Sequence, residues 1–155
     1  MSKRSKRIVI SLGIIVVLTV GALAMMSIFS RKPTNLGVTN GRLADCPSSP
    51  NCVSTQADDA EHRMQPIPLT GSADEAMQRI KAVVAKMPRT KIVTAEDNYL
   101  HVEFRSALFR FVDDVEFLID PDEQLTHFRS ASRVGYSDFG VNRGRMEQIR
   151  KALSE

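Results

Sequence analysis

The stretch from Arg129 to Arg145 holds the residue types best suited to binding a ligand. Its arginines supply positive charge, and Gly135 and Gly140 leave backbone N–H groups free to face an anion. Arg143 and Arg145 fall in or near the first turn of the predicted last helix, where positive charge opposes the helix dipole unless an anion lies nearby. We therefore predict a site for an anion, such as a phosphate, a lipid headgroup or a carboxylate of an envelope protein. The predicted ligand-binding residues are Arg129, Arg133, Ser137, Asn142, Arg143 and Arg145.

Acidic side chains within the domain compete for the same arginines. A buried Asp–Arg pair that fixes a helix on a sheet is a common arrangement, because it satisfies both charges. A purely structural interaction domain therefore stays open as an alternative function. The predicted structural polar cluster consists of Asp113, Asp114, Glu116 and Asp138.

Ser137 is the one candidate nucleophile that the sequence suggests. Residues 135–140 run Gly-Tyr-Ser-Asp-Phe-Gly, which is one residue longer than the G-x-S-x-G turn of serine hydrolases. The spacing of the three histidines supports no catalytic triad. A hydrolase using Ser137 is kept as the alternative enzyme function. We otherwise predict no catalytic residue and prefer a binding role.

Two helices and four strands are predicted to position these residues. The first helix begins at Ser72, since residues 72–75 have the spacing of a capping box, and it ends before Pro88. The order of elements predicts an α+β domain with a four-stranded antiparallel sheet and two helices on one face. The strands are Lys91–Ala95, Tyr99–Arg105, Phe111–Ile119 and Leu125–Ser132, and the last helix is Val141–Leu153.

Hydrophobic alternation predicts how the strands pair. Val102 should lie opposite Val115, and Phe117 opposite Phe128, because these side chains then all face the helices. A one-residue slip would turn them to the other face. That other face carries the charged residues His101, Glu103, Asp114, Glu116 and Arg129.

The histidine and the carboxylates of this charged face are also candidate metal ligands. Glu103 opposite Asp114 is a like-charge pair that needs a cation, and Arg105 or Arg133 is placed to supply it. We interpret the face as a solvated surface of mixed charges. We predict no metal and no cofactor.

The N-terminal segment is typical of a membrane anchor. Residues 1–7 contain four basic residues, and the uncharged apolar run over residues 8–29 is about 33 Å long as a helix, enough to cross a hydrocarbon core. The excess of positive charge before the run places that end in the cytoplasm. We predict a transmembrane signal anchor over residues 8–29, a tether over residues 30–45 and an exported domain over residues 46–155. A signal peptide cut after Ala24 is the alternative, and it also leaves the domain outside.

Charge and cysteine content agree with export. Six of the 21 Lys+Arg lie at positions 3–32 and none of the 18 Asp+Glu does, so the remaining chain carries a net charge of −3 and a nucleic-acid partner is not expected. Cys46 and Cys52 are the only cysteines and are predicted to form a disulfide in an oxidising envelope. We predict a single-pass protein of the cell inner membrane, with a periplasmic domain that acts as a binding or accessory module.

Three motifs resemble a family of small bacterial and plastid proteins that is known only as a domain of unknown function, number fourteen ninety-nine. They are C-P-S-S-P-N-C-V-S at residues 46–54, F-V-D-D-V-E-F at residues 111–117, and R-S-x-S-R-x-G-x-S-D-x-G-x-N-R at residues 129–143. The resemblance spans about residues 44 to 153. It implies no reaction, but its polar positions mark the corner between the sheet and the last helix. These positions are Asp113, Asp114, Arg129, Ser130, Ser132, Arg133, Ser137, Asp138, Asn142 and Arg143.

Overall fold

The computed structural model describes residues 2–28 and 30–154, and it begins with a long apolar helix. This helix, α1 (Lys3–Ile28), contains the one segment of the described chain that is long and apolar enough to cross a membrane, with a mean hydropathy of 2.7. Its 26 residues span about 39 Å. A secretory signal sequence meets the same criteria of length and composition. Phe29, the last residue of the predicted anchor, lies outside the described residues.

The elements after α1 form an α+β domain. The two predicted helices and four predicted strands are all present, each end within one residue of its expected position. Four short strands that were not predicted precede or flank them. The helices are α2 (Ala73–Lys86) and α3 (Val141–Ser154). The strands are β1 (Val38–Thr39), β2 (Arg42–Leu43), β3 (Cys52–Ser54), β4 (Ile67–Pro68), β5 (Thr90–Glu96), β6 (Tyr99–Arg105), β7 (Val112–Asp120) and β8 (Leu125–Ser132).

Across the described residues, the main sheet has six strands rather than the predicted four. Its order is β3–β8–β7–β6–β5, and β4 pairs with β8 farther along the same edge, all antiparallel. The two missed strands, β3 and β4, have three and two residues. Segments of this length are too short to show the period-two alternation that predicts a strand, and their partner β8 is distant in sequence.

The predicted register is confirmed. Val102 pairs with Val115, and Phe117 pairs with Phe128. All four side chains are completely buried in the core between the sheet and the two helices. α2 and α3 both pack on this face of the sheet, as the order of elements predicted. The opposite face is therefore left to the charged residues.

Two local features predicted from the sequence are also confirmed. The hydroxyl of Ser72 accepts a hydrogen bond from the Glu75 N–H, and the Glu75 carboxylate accepts one from the Ser72 N–H, which is the capping box at the start of α2. Cys46 and Cys52 form a disulfide that closes the loop before β3. The disulfide thus links the segment that follows the predicted tether covalently to the first residue of β3.

Candidate functional site

The sheet face opposite the helices is the densest polar region of the domain, and it is buried. The side chains of Asp114, Glu116 and His101 are 1%, 0% and 1% exposed, and Glu103 and Arg129 are buried too. The interpretation of this face as a solvated surface is therefore wrong. A buried charge is stable only when it is paired. The hydrogen bonds and ion pairs on this face therefore determine which of its side chains are available to a ligand.

A hairpin from the predicted tether covers part of this polar face. β1 and β2 pair around Asn40 and Gly41, whose φ angles of 52° and 74° are the left-handed values that an Asn-Gly turn adopts. The Gly37 N–H donates to Glu116 Oε1 at 2.8 Å, and the Leu43 side chain is buried. The part of the predicted tether from Gly37 to Leu43 therefore contacts the domain.

Arg133 is the cation that the like-charge pair of Glu103 and Asp114 requires. Its Nη2 lies 2.5 Å from Glu103 Oε1 and 2.7 Å from Asp114 Oδ1, and its Nε lies 2.8 Å from Asp114 Oδ2. Arg105 donates to the second oxygen of Glu103 at 3.1 Å. Both arginines expected to compensate this pair therefore do so. An external anion at Arg133 must compete with two carboxylates.

Further hydrogen bonds complete the polar face. His101 Nε2 lies 2.7 Å from Asp114 Oδ1. The Tyr99 hydroxyl donates to Glu116 Oε1 at 2.7 Å, and Arg129 Nη1 donates to Glu116 Oε2 at 3.2 Å. Burial and the adjacent Glu116 carboxylate both raise the pKa of Tyr99, so the phenol stays protonated and keeps donating.

The pKa values of Asp114 and Glu103 are both lowered from the usual range of carboxyl groups. Burial by itself would raise each pKa, but hydrogen bonds to cations outweigh it. These bonds come from Arg133 and His101 for Asp114, and from Arg133 and Arg105 for Glu103. Both groups are therefore held as carboxylates.

We expect the free energy of unfolding to decrease as the pH falls below about 4, the range of unperturbed carboxyl pKa values. Because these two pKa values are lower in the folded state, the unfolded chain takes up protons first, and protonation favours unfolding. The stabilisation is complete above the unfolded pKa and is lost as the pH falls through the folded one. Urea unfolding of the full chain in detergent, at a series of pH values, measures it. Asp114→Asn should weaken the acid dependence, whereas Asp122→Asn, at an exposed carboxyl, should retain it; equal slopes would contradict this assignment.

A second polar network lies where α3 meets the sheet. Asn142 is completely buried; its Oδ1 accepts from the Ser130 hydroxyl at 2.6 Å, and its Nδ2 donates to the Asn51 carbonyl at 3.0 Å. Arg145 donates to Asn142 Oδ1 at 2.6 Å and to Asp113 Oδ2 at 2.5 Å. The network joins α3, β7, β8 and the disulfide loop.

Asp138 and Arg143 connect the start of α3 to its surroundings. Asp138 Oδ2 accepts the Asn142 N–H at 2.7 Å and so caps the helix. Arg143 donates to the carbonyls of Arg63 and Glu61 at 3.2 and 2.6 Å. Carbonyl partners leave the positive charge of Arg143 uncompensated by these contacts, in contrast to Arg133.

Ser137 lies in an exposed loop before α3. Its hydroxyl accepts the Phe139 N–H at 3.2 Å. No histidine contacts it among the described residues, and each of the three histidines is bonded to a carboxylate elsewhere in the domain. The geometry therefore gives Ser137 no general base.

Asp120, Glu123 and His127 have potential metal-ligand atoms within 4.8 Å of one another. His127 Nε2 lies 3.1 Å from Glu123 Oε2, and its Nδ1 lies 3.2 Å from the Thr55 hydroxyl. Hydrogen bonding thus accounts for both ring nitrogens of the histidine. The carboxylates of the polar face, the other candidate metal ligands, are bonded to arginines instead.

The predicted anion ligands belong to separate parts of the structure. Arg129 and Arg133 lie on the polar face. Asn142 and Arg145 lie on α3 and contact the sheet, Arg143 lies in the first turn of α3 and contacts carbonyls elsewhere, and Ser137 lies in the loop before it. Sequence reasoning did not predict the hydrogen bonds that Gly37, Tyr99 and Asn51 make in these networks. The Asn-Gly pair between Val38 and Leu43 is a hairpin signal that would have revealed the cover.

Fold and site together define a class of protein: an α+β domain with an internally paired polar face, preceded by one helix apolar enough to span a membrane. Within this class, residues 42–153 match the family model described as Protein of unknown function (DUF1499), well over half of the chain. The chain belongs to this family, which confirms the resemblance drawn from its motifs. No match to a curated protein was found.

Proposed function

We propose that this protein is a binding or accessory module of the cell envelope, held in the inner membrane by α1 with its N-terminus in the cytoplasm and its domain in the periplasm. The basic residues at the start of α1 and the disulfide of the domain support this orientation. The internal pairing of the polar face limits where a ligand or partner can bind. A face whose carboxylates are bonded to arginines serves as a scaffold, and interaction is left to the exposed loops.

An anionic ligand is still part of the proposal, but internal pairing changes where we assign it. Displacing the carboxylates from Arg133 would deprive two buried carboxylates of their shared cation, at a cost of about 3–5 kcal/mol. Arg89 and Arg110 are exposed, and Arg143 contacts backbone carbonyls. We therefore assign the anionic ligand to exposed arginines rather than to the buried ones.

A purely structural interaction domain is the second candidate, favoured by the same internal pairing. It would use the exposed loops for a protein partner and would not need an anion. A hydrolase using Ser137 has less support, because the described contacts give this serine no base. Ser137→Ala should leave turnover on a panel of esters unchanged.

Labelling of introduced cysteines in spheroplasts tests the topology. The two native cysteines are joined in the disulfide, so an added cysteine is the reactive thiol. With a membrane-impermeant maleimide, Asp122→Cys should be labelled on intact spheroplasts, and Ser5→Cys only after permeabilisation. The labelled product should keep the mass of the full chain. Labelling of Ser5→Cys from outside, or a chain shortened after Ala24, would contradict the anchored orientation.

A further inference from the structure

The two ends of the main sheet differ in charge. The turns β5–β6 and β7–β8 lie at one end, which we call the turn end (residues 96–98 and 120–124). The described side chains with formal charge there are all acidic. They are Glu96, Asp97, Asp120, Asp122 and Glu123.

The opposite end is apolar and mainly basic, and its acidic residue, Asp138, is bonded to the N–H groups of Gly140 and Asn142. The connections α2–β5, β6–β7 and β8–α3 lie there and form what we call the loop end (residues 87–90, 106–111 and 133–141). The last two connections are neighbours, because the Arg133 N–H donates to the Val112 carbonyl at 3.0 Å. Exposed arginines accompany exposed apolar side chains. The arginines are Arg89 and Arg110, and the apolar residues are Leu108, Tyr136, Phe139 and Val141.

The exposure of these apolar side chains is unusually complete. Phe139 is 95% exposed, Leu108 is 79% exposed and Tyr136 is 76% exposed. Phe139 also has a φ of 55°, a left-handed value that is strained for a bulky residue and is typical of functional loops. Removing such a side chain from water is favourable, because it buries a large apolar surface. A cluster of them on a small domain marks a surface that binds something.

The tether limits how far this surface can be from the membrane. Eight residues of the sequence, 29–36, separate α1 from Gly37, which is bonded to β7, and a fully extended chain of this length reaches about 28 Å. From Glu116, the partner of Gly37, to the start of β7 is about 14 Å along the strand. The tether therefore allows either end of the sheet to touch the bilayer, and the chemistry of the two ends decides between them.

We propose that the loop end docks on the outer surface of the anionic bilayer in which α1 is anchored, and this inference rests on the proposed function. Arg89 and Arg110 meet the phosphates of the headgroups, while Leu108 and Phe139 insert between them. Tyr136 suits the same depth, since an aromatic ring with a polar tip favours the membrane interface. The acidic turn end is repelled by the same surface and faces away, free for a partner.

Collisional quenching in vesicles tests the docking. The full chain carries one added cysteine labelled with an environment-sensitive fluorophore, Ala107→Cys at the loop end or Asp122→Cys at the turn end as the matched control. The vesicles contain one part phosphatidylglycerol to two parts phosphatidylcholine, with or without nitroxide-labelled lipid. We expect the label at position 107 to be quenched several-fold more strongly than the label at position 122. Vesicles of phosphatidylcholine alone, or high salt, should reduce the difference.

A further variant separates docking from mere proximity. Leu108→Ser with Phe139→Ser, added to Ala107→Cys, removes two exposed side chains and should leave the circular dichroism spectrum unchanged while quenching falls to the control level. Equal quenching at positions 107 and 122, or quenching that this variant does not reduce, would overturn the proposal. An unquenched position 107 would instead favour a protein partner for the loop end. Because reconstitution fixes α1 in the bilayer, either failure leaves the spheroplast result, and with it the proposed anchoring, standing.

Discussion

Replacing Arg133 by methionine is expected to lower the free energy of unfolding by about 3–5 kcal/mol, the usual cost of leaving buried charges without their partner. Arg133 bonds both Glu103 and Asp114, and its side chain is 7% exposed. Methionine fills a similar volume, so the effect comes from the two carboxylates that lose Arg133, and not from a cavity. Glu103 then keeps only Arg105, and Asp114 keeps only His101. Urea unfolding of the full chain in detergent, followed by circular dichroism, measures it.

Two variants serve as controls for this prediction. Arg110→Met removes an exposed arginine and should change the free energy of unfolding by about 0.5 kcal/mol or less. The triple variant Arg133→Met, Glu103→Gln and Asp114→Asn removes the buried charges together with the arginine and should recover part of the loss. If Arg133→Met costs no more than Arg110→Met, the carboxylates reach water, and the polar face is not buried as described.

Asn142→Leu is expected to have the second large effect, a loss of about 3–5 kcal/mol, because several buried groups each lose a partner worth about 1–3 kcal/mol. The Ser130 hydroxyl, the Asn51 carbonyl and Arg145 all bond the Asn142 amide. Leucine is similar in size and more apolar, so the loss isolates the hydrogen bonds. The same urea experiment gives the value.

A matched substitution on the same helix tests whether the loss of stability comes from this site or from any amide-to-apolar change. Gln148→Leu makes a similar amide-to-apolar change at an exposed position of α3 and should be nearly neutral. The folded state of Asn142→Leu should also lose protection from hydrogen exchange at the start of α3, because Asn142 joins this helix to the sheet. A loss no larger than that of Gln148→Leu would show that water replaces the amide at little cost.

The central sheet was predictable because its information is local. Val102, Val115, Phe117 and Phe128 alternate with polar residues, and a single register places them all on one face. The capping box of α2 depends on four consecutive residues and was equally visible. Both predictions required only patterns of neighbouring residues, which can be read directly from the sequence.

The two short strands at the edge of the six-stranded sheet and the cover of the polar face were not predictable from the same information. β3 and β4 are too short to show a period, and each acquires its structure from β8. Charged residues are rarely buried, so alternation alone indicates a solvated face at Glu103, Asp114 and Glu116. Burial became favourable only through arginines from other strands and a hairpin more than seventy residues away, as the bond from Gly37 to Glu116 illustrates.

The candidate ligand residues show a more general ambiguity. A guanidinium group binds a carboxylate of its own chain and an external phosphate with the same geometry. Residue type therefore identified Arg133 and Arg145 as anion binders, and the anions that they contact are Asp114 and Asp113. Among the exposed residues of the loop end, by contrast, Arg89, Leu108 and Arg110 lie outside the three motifs. Tyr136 and Phe139 fall at unspecified positions of the third motif, so no sequence pattern singles these residues out.

The hydrogen bond between Gly37 and Glu116 also determines how the domain responds to mechanical load. Tension on α1 enters the domain at Gly37, where it first loads the single bond to Glu116 and then the hairpin β1–β2. We expect the hairpin to peel away one hydrogen bond at a time, since this needs less force than shearing several strands together. Glu116 and its neighbours lose their cover while the core between the sheet and its helices stays intact. We therefore expect the first response of the protein to tension to be the exposure of a charged surface. The disulfide between Cys46 and Cys52 follows the peeled segment in the chain and precedes the rest of the main sheet.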